Sequence, residues 1–243
     1  ATDVELYSRA KQLMTMPMQL LNPLVNVAVP TLNEAKARGE DVQDHLLRIQ
    51  SFIGMVTTWL FVVAAASAPT LFTLVLGKDW APAAPVFQLL ALGGAAQAFS
   101  QVSWWAFLVI GTSRDLLKYN LVSKTMTALL VVGGALISVE GAAAGLSLGL
   151  TLSWLLNVKW LEKTAGLFAR PFYWNGGRFL AAGVAAAGAV VVLSRCFSLP
   201  MGFGLLLLQI LGATLLFWGL VAVSPAGRRD MRQGLTALKT FRR

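Results

Sequence analysis

Cysteine and histidine each occur once in this sequence, as Cys196 and His45, and charge is scarce: 13% of the 243 residues are Asp, Glu, Lys or Arg. One cysteine excludes an intrachain disulfide framework. One cysteine with one histidine excludes a multi-ligand His/Cys metal centre, so no metal is expected. The eleven carboxylates (Asp3, Glu5, Glu34, Glu40, Asp41, Asp44, Asp79, Asp115, Glu140, Glu162 and Asp230) fall in loops or at the ends of apolar runs. No paired acids, glycine-rich phosphate loop or Ser/His/Asp set is present, so the chain is read as a non-enzyme without a cofactor. His45 sits in an acidic, hydrophilic loop and reads as solvated. The opening stretch 1–11 is charged and lacks the apolar core of a signal peptide.

What is abundant is apolar. Hydrophobic residues make up 56% of the chain, against roughly 45–50% in soluble domains. They gather into long uncharged runs, which a bilayer explains better than a water-soluble core. The runs predict an all-α membrane protein with seven spans, at 13–31, 52–76, 86–111, 121–139, 142–160, 179–197 and 203–223. Each is near the ~20 residues needed to cross the hydrocarbon. The connections are short, and none is large enough to fold as a separate domain.

The net charge of +9 does not point to nucleic acid, because the basic residues sort by side. Lys36, Arg38, Arg48, Arg114, Lys118, Lys124, Lys159, Lys163, Arg170, Arg178, Arg228, Arg229, Arg232, Lys239, Arg242 and Arg243 belong to one side of the predicted topology. Only Arg9, Lys11, Lys78 and Arg195 belong to the other. Lysine and arginine concentrate in cytoplasmic loops, which places the C-terminus in the cytoplasm and Ala1 outside. A first residue outside, without a signal peptide, requires an earlier helix, so the chain is read as the C-terminal part of a larger transporter-like protein. Trp80, Trp160 and Trp174 lie where interfacial anchors belong. The tail carries Met231, Leu235, Leu238 and Phe241 at helical spacing among basic residues. It fits either a topology anchor or a segment lying on the anionic inner leaflet.

Polar residues inside the spans are few and periodic. Ser8, Gln12, Thr15, Gln19, Asn22 and Asn26 recur every three or four residues, the pattern of one helix face. Pro17 and Pro23 interrupt the same segment and should kink it or free carbonyls, a candidate for gating. Amides have no partners in lipid. The seam must therefore line a wet cavity or form interhelical hydrogen bonds, and both readings stand. Gln97, Gln101 and Trp104, with Ser100 beside them, repeat the idea in the third span, and Asn120, Lys124 and Thr127 do so in the fourth. Fifteen uncharged residues separate Lys124 from Glu140. Lys124 either snorkels to the surface or enters the cavity to meet an anionic substrate. Arg9, at the outer mouth of the seam, fits phosphate contact or interfacial anchoring. Gly141, Gly145 and Gly149 form a small-residue ridge for close helix packing.

Two stretches carry a family resemblance. The first runs Leu6-Tyr7-Ser8-Arg9-Ala10 through Leu13, Pro17, Leu20-Leu21-Asn22 and Val29-Pro30. The second runs Leu76-Gly77-Lys78-Asp79-Trp80-Ala81-Pro82-Ala83 and continues Phe87-Gln88-Leu89-Leu90-Ala91. Gly111-Thr112-Ser113-Arg114 and Gly141-Ala142-Ala143-Ala144-Gly145 are weaker echoes. Together they resemble the Wzx-type O-antigen and exopolysaccharide flippases of the MATE-related MOP exporter superfamily, with Glu5 where that family usually has glycine before Leu-Tyr. The resemblance implies a fourteen-helix transporter of two six-helix lobes and two extra helices. This chain would supply the last seven: five helices of the second lobe in 1–160, two additional ones in 161–224 and a basic cytoplasmic tail in 225–243.

The function so implied is alternating-access flipping of a lipid-linked (polyprenyl pyrophosphate) oligosaccharide across the bacterial inner membrane, in polysaccharide or lipopolysaccharide biosynthesis. Gln12, Gln19, Asn22, Asn26, Gln97 and Gln101 would line the path, and Lys124 or Arg9 would meet phosphate. Expected partners are that lipid-linked substrate, membrane lipids, the N-terminal half of the same protein and the polysaccharide polymerase machinery. Coupling to an H+ or Na+ gradient is left open. A MATE-like drug or metabolite antiporter is the alternative, although such proteins usually need a membrane-embedded carboxylate. A membrane polymerase or ligase would need a sizeable outer loop, and the outer turns here are short.

Overall fold

The computed structural model of the chain describes residues 2–19, 21–110, 113–196 and 202–240. Ala1, Leu20, Gly111, Thr112, Phe197, Phe241, Arg242 and Arg243, used in the sequence reading, lie outside them. Nine α-helices follow one another among the described residues: α1 (Asp3–Gln19), α2 (Val25–Ala37), α3 (Val42–Leu71), α4 (Ala83–Val109), α5 (Ser113–Ala135), α6 (Val139–Ala165), α7 (Ala169–Cys196), α8 (Phe203–Val223) and α9 (Pro225–Thr240). The fold is that of an all-α, multi-pass membrane protein.

Of the seven expected spans, five meet the length and composition of a crossing helix: Val42–Leu76, Ala83–Val109, Val139–Ala165, Ala169–Cys196 and Phe203–Val223. The first expected span is divided. Pro23 has no N–H to continue an α-helix, and the chain passes through a 3-10 turn at Asn22–Leu24 between α1 and α2. With 17 and 13 residues, neither piece reaches the ~20 that a crossing needs. The fourth, α5, holds Lys118, Asn120 and Lys124 in its first half and is too polar on average. Both run within the bundle beside the apolar helices.

Local chemistry sets the helix ends. Thr2 and Glu5 form a capping box at α1: the Thr2 amide donates to Glu5 Oε2 at 2.7 Å and the Glu5 amide to Thr2 Oγ1 at 3.4 Å. Glu5 therefore has a structural task at the position where the flippase pattern has glycine. Asp41 caps α3 by accepting from the Gln43 amide at 2.8 Å. The helix runs on through a π-type segment, Phe72–Leu76, and stops at Gly77. There φ is +99°, a conformation open to glycine and costly for other residues.

α3 is the hub. It packs on α4, α7 and α8, while α4 also packs on α1 and α6, and α5 is held almost wholly by α6. Phe61, Phe99, Trp105, Phe172, Phe179 and Phe217 are fully buried. Phe99 joins three helices, with ring centroids 5.3 Å from Trp154 and 6.5 Å from Phe179. The outward faces are apolar too: Leu207, Leu211 and Leu215 of α8 are exposed, Leu215 at 72%. A helix apolar all round suits a lipid environment.

Without a hydrophobic driving force in lipid, helices associate through close packing, and the α5–α6 contact shows this. A methyl placed on Gly145 would lie 2.2 Å from the Leu130 carbonyl oxygen, and one on Gly141 would lie 2.4 Å from that of Gly134. Thr127 backs Gly149 at 2.8 Å. Gly145→Leu should separate α5 from α6 and cost about 1–3 kcal/mol, as overpacking does. A fall in thermal midpoint should follow, together with faster proteolysis between the two helices. An unchanged midpoint would contradict this packing.

Candidate functional site

Three helix faces converge on one polar cavity of about 310 Å³. α4 contributes Gln97, Ser100, Gln101 and Trp104; α5 contributes Tyr119, Asn120, Ser123, Lys124 and Thr127; α6 contributes Leu146, Leu150, Ser153 and Asn157. On each helix these positions recur every three or four residues, so one face of each lines the space. The cavity exists because α4 and α5 both pack on α6 while hardly touching each other.

The walls are fixed by hydrogen bonds. Tyr119, 5% exposed, donates to the Ser153 carbonyl at 3.1 Å and lies 3.5 Å from Ser100 Oγ. Asn157, fully buried, donates through Nδ2 to the Ser100 carbonyl at 3.3 Å. Thr127 Oγ1 is 3.3 Å from Ser153 Oγ. The Asn157 Oδ1 atom is buried and accepts nothing from the described residues. Lys124 is exposed in the described structure and is the one charged residue of the lining. The structure thus brings Gln97, Gln101, Trp104, Asn120, Lys124 and Thr127 together. Sequence reasoning passed over Tyr119, Ser153 and Asn157. The signal was available: Ser153 and Asn157 continue the spacing of Leu146 and Leu150 on α6.

The amide seam lies elsewhere. Ser8, Gln12, Gln19, Asn22 and Asn26 are exposed, whereas Leu6, Ala10, Met14, Leu21, Ala28 and Leu32 turn into the bundle. Because the helix breaks between Gln19 and Val25, the seam is shared by two helices and is not one continuous face. At its start Glu5, Ser8, Arg9, Gln12, Asp79 and Trp80 border an open cleft of about 550 Å³. The Arg9 guanidinium sits 5.3 Å from the Trp80 ring centre and donates to Gln12 Oε1 at 3.1 Å. The Thr2 amide holds the Glu5 carboxyl below its ordinary value of 4.5. The carboxylates Glu5 and Asp79 thus share the border of the cleft with the Arg9 guanidinium.

A second polar cluster went unrecognised. Arg178 and Asp230, read from the sequence as a loop charge and a tail charge, form a partly buried ion pair between α7 and α9, with side chains 16% and 14% exposed. Arg178 also donates to Asn175 Oδ1 at 2.6 Å, which accepts from Ser51 Oγ at 3.1 Å. Asn175 Nδ2 donates to Gln50 Oε1 at 3.1 Å. The cluster ties α3, α7 and α9 together, so the basic tail begins as a docked helix. Arg228, Arg229 and Arg232 face outward from it. Among the described residues no three His, Cys, Asp or Glu side chains stand close enough to hold a metal ion.

Residues 1–85 match the model of a family described as polysaccharide biosynthesis protein. The teichuronic acid biosynthesis protein TuaB of Bacillus subtilis (strain 168) is 27% identical over 90 residues, a match covering 37% of this chain and 19% of that protein. The chain thus spans a small part of the curated relative it matches. No solved structure matches it. Both matches are to proteins described by polysaccharide or teichuronic acid biosynthesis. The 1–85 match covers α1 to the turn at Trp80, including the amide seam, while every residue of the polar cavity lies beyond it.

Proposed function

We propose that this chain is part of a flippase that moves a lipid-linked oligosaccharide across the bacterial cytoplasmic membrane, with its C-terminus in the cytoplasm. In this reading α1–α2 and α5 complete seven crossings. The chain forms most of the second lobe of a MATE-like, fourteen-helix transporter, and the N-terminal half of the same protein supplies the first. Residues 1–160 give the lobe, 161–224 two additional helices and 225–243 the tail. One lobe rocks against the other, so that the sugar crosses through a polar space while its lipid tail stays in the bilayer.

The observation that carries this reading is the exposed amide face of α1 and α2, inside the segment that matches the family model. An apolar bundle leaves four amide side chains outward, at Gln12, Gln19, Asn22 and Asn26. Against lipid they would lack partners at a cost of several kcal/mol per group. Facing the other lobe, across a wet path, they are satisfied by water and sugar hydroxyls. Replacing the four with alanine should lower surface polysaccharide while leaving protein level unchanged. Wild-type export from that variant would refute the assignment of the seam to the path.

A further inference from the structure

We propose that the α4–α5–α6 cavity binds one saccharide unit carrying a negative charge; this rests on the flippase reading and names the substrate chemistry of one site within it. Three features converge. Among the described residues the lining has no carboxylate, and its single charge is the Lys124 ammonium, for which no ion pair is seen. An exposed cation beside a polar cavity attracts anions and repels cations. The second feature is Asn157 Oδ1, fully buried and without a donor. Its identity follows from Nδ2, which faces a carbonyl oxygen that can only accept. An acceptor left so in a polar pocket calls for a hydroxyl from a ligand or a water that such a hydroxyl displaces.

The third feature is shape. Trp104 and Tyr119 offer ring surface, and Gln101 offers both a donor and an acceptor. A volume of about 310 Å³ stands at the small end of ligand pockets, roughly 300–1,000 Å³. It suits a single sugar ring and not a whole repeat unit. The charge recognised is either a carboxylate on the ring or the phosphate that links the sugar to its carrier.

The test uses the full-length protein in membrane vesicles, in a cysteine-free background that includes Cys196→Ser, with Gln101→Cys as reporter. Relative to their rates with a free thiol, the anionic sulfonatoethyl methanethiosulfonate should label this cysteine about fivefold faster than the cationic trimethylammonium reagent. Adding Lys124→Gln should erase that preference. Glucuronate and glucose 1-phosphate should slow labelling, whereas glucose and inorganic phosphate should not. Protection by glucuronate alone assigns Lys124 to a ring carboxylate, and protection by glucose 1-phosphate alone assigns it to the linking phosphate. Equal protection by glucose, protection by inorganic phosphate, or protection by none overturns the proposal. Export is scored separately through the seam variant, so this site can fail while the flippase reading survives, and the reverse.

Discussion

Asp230→Ala should destabilise the protein by about 1–3 kcal/mol, the cost of leaving a largely desolvated charge without its ionic partner. Among the described residues the aspartate is the only carboxylate paired with Arg178, whose side chain is 16% exposed. The guanidinium lies 4.6 Å from the Phe179 ring centre, and its Nε and Nη1 atoms have no hydrogen-bond partner among the described residues. Removing the aspartate leaves that charge with a neutral amide oxygen, Asn175 Oδ1, as its acceptor. Arg229→Ala, one residue away on an outward-facing side chain, should change stability by less than about 0.5 kcal/mol. Converting both partners, as Arg178→Met with Asp230→Leu, should recover most of the loss, because apolar replacement of a buried pair is often neutral. Thermal unfolding of the purified protein separates the three variants. Equal midpoints for Asp230→Ala and Arg229→Ala would mean that α9 is not docked by this pair.

Replacing Gln97, Gln101 and Asn157 together with leucine should cut polysaccharide export by about 10- to 1,000-fold. Each lost hydrogen bond to a sugar is worth roughly 0.5–1.5 kcal/mol, and every 1.4 kcal/mol is tenfold. Stability should fall by only about 0.5–1.5 kcal/mol, because leucine removes the orphaned Asn157 acceptor along with the Asn157 Nδ2 bond to the Ser100 carbonyl. The informative pattern is a folded protein at normal level with little surface polysaccharide. Full export would move the sugar path away from the cavity. Loss of protein would instead mark these side chains as structural.

The contrast between these two sites shows what the sequence discloses. Periodicity located the five apolar helices and placed Gln97, Gln101, Asn120 and Lys124 on faces that do converge, since a helix face follows from spacing alone. It did not show that the seam from Ser8 to Asn26 is split, although Pro23 marks the break, because a proline can kink a helix or end it. Arg178 and Asp230 lie 52 residues apart. Nothing local in either neighbourhood announces the other, and each alone looks like an ordinary interfacial charge. The same holds for Asn157, whose partner Ser100 lies on another helix 57 positions earlier. Glu5 is the reverse case. It departs from the flippase pattern, yet Thr2 three residues earlier completes a capping box readable without coordinates.

The proposal that the protein flips a saccharide carrier is tested most directly in cells lacking the full-length protein, by finding which leaflet holds their lipid-linked oligosaccharide. The account predicts accumulation on the cytoplasmic side with a matching fall in surface polysaccharide, reversed by the wild-type protein but not by the seam variant. A carrier that reaches the outer leaflet at the normal rate in those cells would contradict it.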